Sequence, residues 1–332
     1  VSRSWKVGAG FAVSAIALFF TLRNVNFTEL GRAISGARIV WFLPATGFFA
    51  IAFGLRAWRW SLLMGGAPFW TTFHAMNIGY MMNVTLPLRL GEVGRAFVIG
   101  ERTTISMVSA FSSIVVERVL DLAMVVGLFA VFAAYVPMPP SFSRAAFAGG
   151  ILVILMLVVG GILVWQAERT ERILRPILER FTKSAEPWLK RFRDLCSGFR
   201  AVGSARRVSL VFVLTLLIWA GGILCAYFTM AAFLPPVLEQ AGLVVVTANL
   251  GGAVPSAPGG LGIVQGFAIS ALVLPFHVPE DQALAFVFVW SLSQQLLLIV
   301  LGLIGLGRIG MSFAEVRASG KSEPQEAPSV LD

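Results

Sequence analysis

Three ionisable residues, Glu117, Arg118 and Asp121, stand inside an otherwise apolar run from Ile105 to Tyr135. On a helix, Glu117 and Asp121 are four apart and share a face, with Arg118 beside them. Charge in an apolar helix is costly in lipid unless it is paired or wetted, so the three groups should face the protein interior. Two readings follow. One is an ion cluster that pins helix packing, with Arg89 or Arg95 as a partner. The other is a polar cavity that handles a charged substrate.

A second set lies upstream, where Asn77 to Arg95 forms a polar, Pro/Gly-broken segment between apolar runs. Arg89, Glu92 and Arg95 sit at its break. If residues 91–100 are helical, the spacing of three puts Glu92 and Arg95 on one face. Two guanidiniums beside the free N–H groups of a half-helix N-terminus would make a seat for phosphate.

A cousin of this segment occupies residues 249–265. At an offset of 171, Pro87, Leu90, Gly91 and Val93 fall on Pro258, Leu261, Gly262 and Val264; at 172, Asn77 and Gly79 fall on Asn249 and Gly251. Gly259, Gly260 and Gly262 permit tight turning and close backbone approach. They do not form a nucleotide loop, because no Lys-Ser/Thr follows and no strand precedes them. A further echo, at an offset of 177, relates Glu117-Arg118 to Gln294-Gln295. If both helices flank a shared cavity, one half brings charge and the other neutral amides.

Other chemistries lack support. His74 and His277, the 2 histidines of the chain, have no clustered ligands, so no metal or other cofactor is expected. No nucleophile–base pair stands out, and the expectation is a protein that is not an enzyme. Cys196 lies in a polar segment and Cys225 in an apolar run, which indicates neither a disulfide framework nor a metal knuckle.

Composition sets the class. The 332 residues are 57% hydrophobic and 13% charged, against about 25% charged residues in soluble domains. Mean hydropathy is +0.83. The chain reads as an all-α polytopic integral membrane protein. Its net charge of +9 is then a matter of membrane orientation before nucleic acid, and no nucleic-acid partner is expected.

Six full spans are expected, near residues 5–22, 39–55, 105–135, 145–165, 208–232 and 283–306. The first follows Arg3 and Lys6 and reads as a retained helix, because its apolar stretch is long for a signal and no cleavage site precedes Arg23. The second ends in Arg56, Trp58, Arg59 and Trp60, which suits an interfacial anchor with snorkelling arginines or, alternatively, an arginine facing a polar cavity. Neither arm of the segment 71–101 can cross ~30 Å of hydrocarbon at about 1.5 Å per residue. That segment and 240–275 therefore read as re-entrant helical hairpins, whose broken backbone must be buried in protein or line a wet cavity.

Residues 166–207 carry 11 Lys/Arg against 5 Asp/Glu. Apolar Ile173, Leu174, Ile177, Leu178 and Phe181 recur there at helical spacing, giving an amphipathic helix on the membrane surface. The expected organisation is a single transmembrane domain over 1–312. It has a first half, 1–165, a cytoplasmic amphipathic segment, 166–207, and a second half, 208–312. Residues 313–332 form a disordered tail.

With the N-terminus inside, segment 166–207, the region of Arg89 to Arg102 and the C-terminus fall on the cytoplasmic side, while Glu239, Glu280 and Asp281 fall outside. This follows the positive-inside tendency, with Arg32 and Arg38 as exceptions. The two hairpins then enter from opposite sides, which is the pattern of an inverted-repeat transporter.

The sequence resembles the lysylphosphatidylglycerol synthase transmembrane-region family of flippase-like membrane proteins. The resemblance rests on Leu86-Pro87-Leu88-Arg89-Leu90-Gly91-Glu92-Val93-Gly94-Arg95, on Glu117-Arg118-Val119-Leu120-Asp121, and on Pro255-Ser256-Ala257-Pro258-Gly259-Gly260-Leu261-Gly262, and covers about residues 10 to 310. It implies membrane translocation of a lipid. The best-understood relatives also carry a soluble aminoacyl-transfer domain, for which this chain has no room, so the resemblance does not imply synthesis. Glycolipid, polyprenyl-phosphate and hopanoid pathways are also associated with relatives. Where the family pattern places an acidic residue after Gly-Gly-Leu-Gly, this chain has Gln265, which leaves Glu117 and Asp121 as the candidates for contact with a cationic headgroup.

The expected function is thus a flippase for a polar or charged-headgroup lipid in the plasma (inner) membrane. The headgroup would be handled by Arg89, Glu92, Arg95, Glu117, Arg118, Asp121, Pro258, Gly259, Gly260, Gly262, Gln265, Gln294 and Gln295. The alternatives are an ion-coupled small-solute transporter and a non-catalytic subunit beside a lipid-modifying or glycosyl-transferring enzyme. No ATP motif is present, so transport would be passive or ion-coupled.

Overall fold

The computed structural model describes residues 35–86, 90–136, 167–181, 205–253 and 262–313, with positions 31, 151, 186, 189, 260, 315 and 316 besides. The expected span near 5–22, that near 145–165 apart from position 151, the tail beyond 316, and Arg89, Pro258 and Gly259 lie outside the described residues.

The described chain is helical. A short 3-10 turn, Ile39–Trp41, leads into α1 (Phe42–Leu63), followed by α2 (Phe69–Thr85), α3 (Gly91–Arg102), α4 (Met107–Tyr135), α5 (Ala167–Phe181), α6 (Ala205–Met230), α7 (Leu238–Ala253), α8 (Ile263–Phe276) and α9 (Glu280–Ile309). Three segments are long and apolar enough to cross a membrane: Ile39–Leu63, Arg206–Met230 and Glu280–Ile309. At 29 residues α4 is also longer than a bilayer core requires, but it carries the three charges of the central motif.

Chain breaks follow local chemistry. Gly65 and Gly66, at φ +82° and +103°, turn the chain between α1 and α2 in a conformation that an L side chain resists. Leu86 is extended at the end of α2, as a residue before proline must be. Gly310, at φ +67°, closes α9 in the left-handed cap. Beyond it Ser312 and Glu315 bond reciprocally, the Ser312 N–H donating at 2.6 Å and the Glu315 N–H at 3.2 Å. Hydrogen bonds from the Ser312 backbone and side chain to the Glu315 carboxyl hold it below its ordinary range. Val316, in the segment expected as tail, is buried, and a side chain at Gly94 would meet it.

Helix directions can be read from the contacts. The start of α1 meets the end of α6, where the Arg38 N–H donates to the Ala232 carbonyl at 3.0 Å and Trp41 stacks on Phe228. The end of α1 meets the start of α6, where Arg59 donates to Thr215 at 3.1 Å, so the two helices are antiparallel. Helices α1 and α4 are antiparallel too: Trp60 donates to Ser113 at 2.9 Å while Arg56, a turn earlier, reaches Asp121 on the later part of α4. Within the first broken segment, Gly79 faces Arg95 and, one turn on, the Asn83 side chain accepts the Gly91 N–H at 2.9 Å, which makes α2 and α3 an antiparallel hairpin. Met81 packs on Gly302 and His74 on Gly305, so α2 also runs antiparallel to α9.

Each short-helix pair touches both long helices. Helix α3 packs on α4 and α2 on α9; α8 packs on α9 and α7 on α4. Helices α1 and α6 pack on each other, each also against the first arm of the hairpin that follows it. The apolar core runs through this arrangement, with Trp60, Met76, Ile78, Met81, Leu214 and Phe286 fully buried.

Candidate functional site

The charged residues of α4 enter this packing as a network. Glu117 lies on the buried face of α4 and receives Arg118 at 2.7 Å, Arg95 of α3 at 3.2 Å, and Arg59 of α1 at 3.8 Å. Asp121, one turn on, receives Arg59 at 2.9 Å, Arg56 at 3.4 Å and Arg118 at 3.9 Å. The Arg95 guanidinium also lies over the Trp60 ring, 4.7 Å from its centroid. Such a contact with the negative face of an indole stabilises a cation removed from water.

The expectation of snorkelling at Arg59 is overturned. Helix α1 continues to Leu63, and both Arg59 and Trp60 are 0% exposed. The reason is electrostatic: the carboxylates of α4 lie within reach on the inner side, and a paired buried guanidinium costs far less than an unpaired one. Arg56 points to the same cluster and approaches the Tyr80 hydroxyl at 3.4 Å. Of the sequence-predicted residues, Arg95, Glu117, Arg118 and Asp121 come together here, and the pinning partner of Glu117 is Arg95 rather than a group on its own helix alone. Glu92 joins through Arg118, at 3.7 Å, and not through Arg95 as the spacing suggested.

Arg56, Arg59, Trp60, Tyr80 and Thr215 complete the cluster. For the two arginines the signal was present in their spacing of three near a helix end. Trp60 stood beside them as an expected interfacial anchor and is buried instead, while for Tyr80 and Thr215 no sequence signal distinguished them from ordinary core residues.

The cluster is buried on one side and open on the other. Side-chain exposure is 0% at Arg59, 1% at Glu117 and 3% at Arg95, but 38% at Arg118, 24% at Glu92 and 20% at Arg56. Among the described residues it combines four arginines with three carboxylates. Three guanidinium nitrogens in it, Arg59 Nε, Arg95 Nη2 and Arg118 Nε, are buried without a hydrogen-bond partner.

The second broken segment builds a neutral counterpart. Gly260 and Gly262 adopt φ +67° and +83°. The Gln265 side chain folds back so that its Oε1 accepts the Gly262 N–H at 2.7 Å, satisfying a free donor at the start of α8. Its Nε2 donates to Ser291 Oγ of α9 at 2.7 Å, and Gln295 donates to the same oxygen at 3.2 Å. Gln294 is half-buried beside it. In each half the helix after the break therefore reaches a polar group on the following long helix: Arg95 to Glu117, and Gln265 to Ser291. The first arms match as well, since Asn77 donates to the Phe73 carbonyl at 2.9 Å and Asn249 to that of Val245 at 2.8 Å.

No group of three metal-ligating side chains occurs among the described residues. Long apolar helices, short helices broken at Pro/Gly segments and a buried ion cluster define a polytopic helical membrane protein with a polar interior. The chain belongs to the lysylphosphatidylglycerol synthase TM region family, whose model matches residues 7–302. No curated protein and no solved structure matches the chain.

Proposed function

We propose that the protein moves a polar-headgroup lipid between the leaflets of the plasma membrane, without chemical conversion of the lipid. The observation that carries this reading is the ion cluster on α4, buried at Arg59 and Glu117 and open at Arg118. Glu117 is the eleventh residue of α4, about 15 Å from its start, a depth at which a lipid headgroup in transit would need polar partners. Family membership supports a lipid-related role. Partner enzymes that make or modify the cargo are compatible with it.

In this reading α2–α3 and α7–α8 are re-entrant hairpins, and α1–α4 and α6–α9 are inverted repeats. The antiparallel course of α1 and α6 and the reciprocal packing of α2 on α9 and α7 on α4 support that assignment. Both termini are cytoplasmic, and the hairpins enter from opposite faces.

The test is transbilayer movement of fluorescent-headgroup lipids in vesicles reconstituted with the full chain. Arg118→Gln and Glu117→Gln should slow exchange by about tenfold or more, the loss expected for one charge-assisted contact. Exchange at the wild-type rate by folded variants would sink the assignment of this cluster.

A further inference from the structure

The cluster's hydrogen-bonding balance identifies which part of a headgroup it can receive. A cationic group would need a carboxylate with spare capacity. Glu117 is engaged by three guanidiniums and Asp121 by three, counting Arg118 and Arg59 for both. Glu92 alone of the three keeps capacity to spare, and against that one carboxylate the excess lies with the donors. There are four arginines for three carboxylates, and buried donors on Arg59, Arg95 and Arg118 lack partners. The third carboxylate, Glu92, holds Arg118 at only 3.7 Å, beyond hydrogen-bonding distance.

The open edge has a defined composition. Arg118 and Arg56 both approach Asp121 Oδ2, at 3.9 and 3.4 Å, so the two most accessible guanidiniums share one oxygen and lie side by side. Glu92, at the first turn of α3, lies beside this edge, 3.7 Å from Arg118 Nε. A tetrahedral anion with several acceptor oxygens suits two adjacent guanidiniums better than a single distant carboxylate does.

We propose that the phosphate of an anionic lipid headgroup binds at this edge, on Arg118 and Arg56, and takes the place of Glu92. This rests on the lipid-translocation reading but concerns binding alone. Glu92 then acts as a resident carboxylate that weakens phosphate binding and holds the edge closed when no lipid is present.

The test uses the full chain in non-ionic detergent, with thermal unfolding as the readout, because a ligand of the folded state raises the midpoint. The probes are dioctanoyl phosphatidylglycerol, dioctanoyl phosphatidylcholine, dimethyldioctylammonium and inorganic phosphate. Phosphatidylglycerol should stabilise saturably and the cationic amphiphile should not. Arg118→Gln should weaken phosphatidylglycerol by about tenfold and Arg118→Lys by less. Glu92→Gln should strengthen it several-fold, an effect that a general loss of folding cannot produce. Arg169→Gln, at an exposed position of α5, removes the same charge elsewhere and should change nothing.

Preference for the cationic amphiphile, or wild-type affinity in both Arg118→Gln and Glu92→Gln, would overturn the proposal. Equal stabilisation by inorganic phosphate and the lipid would overturn its assignment to a lipid. Phosphatidylglycerol binding with the predicted variant pattern, but no transbilayer movement in vesicles, would retain this site and remove the translocation reading instead.

Discussion

The Arg59 guanidinium on α1 lies 2.9 Å from the Asp121 carboxylate on α4, with Arg59 wholly buried. The same side chain donates to Thr215 on α6 at 3.1 Å. One residue thus ties the first half of the fold to itself and to the second half, at the base of a cluster whose other edge is open. Removal of Arg59 leaves Asp121 with only the longer contacts to Arg56 and Arg118, at 3.4 and 3.9 Å, and removal of the Asp121 charge leaves the buried Arg59 with Glu117 at 3.8 Å, so either loss weakens the network without emptying it.

Arg59→Met should therefore destabilise the protein by about 1–3 kcal/mol in detergent unfolding, the cost of a lost buried charged hydrogen bond whose partner keeps other guanidiniums. Adding Asp121→Asn to it should recover part of that loss, with a coupling energy above about 1 kcal/mol. Strict additivity in the double-mutant cycle would show that the two groups do not act as a pair.

The first hairpin depends on close approach of its arms. A side chain at Gly91 would run into the Gly79 carbonyl and Asn83, so Gly91→Ala should prevent normal packing of α2 and α3 and lower the yield of folded protein. Gly127 on α4 meets nothing within 4 Å, and Gly127→Ala should be neutral or stabilising by about 0.5–1 kcal/mol. Equal behaviour of the two variants in size-exclusion profiles and melting curves would contradict the hairpin geometry.

Gln265 joins the start of α8 to α9. Gln265→Leu removes the acceptor for Gly262 and the donor to Ser291 and should cost about 1–3 kcal/mol. Gln265→Glu keeps the acceptor, and Ser291 can donate to it, so its unfolding midpoint should lie between those of wild type and Gln265→Leu. A midpoint for Gln265→Glu below that of Gln265→Leu would argue against a capping role.

Helix directions predict sidedness. Thr104 and Gly310 lie at one end of the packed helices, beside the start of α4 and the end of α9, whereas Tyr135 and Glu280 lie at the other end of those two helices. Cysteines placed at Thr104 and Gly310 should react with a membrane-impermeant thiol reagent from one side of the membrane, and those at Tyr135 and Glu280 from the opposite side. Labelling of Thr104 and Tyr135 positions from the same side would rule out a full crossing by α4.

How the arginines of α1 are used was not legible from their neighbourhood. Apolar composition and run length determine that this chain is a helical membrane protein, because hydrocarbon admits only segments that satisfy their own backbone. Pro and Gly in the two related segments determine where helices break, because those residues restrict or free the backbone locally. The charges of α4 likewise announce, from sequence alone, that partners must exist. Which partners they have is a long-range matter. Arg59 and Asp121 are 62 residues apart and Gln265 and Ser291 are 26 apart, and one arginine at a helix end reads the same whether it snorkels or turns inward. Only the antiparallel packing of α1 on α4 and α6 decides that, since it puts two carboxylates on the inner side of Arg59 and leaves Arg118 at the open edge.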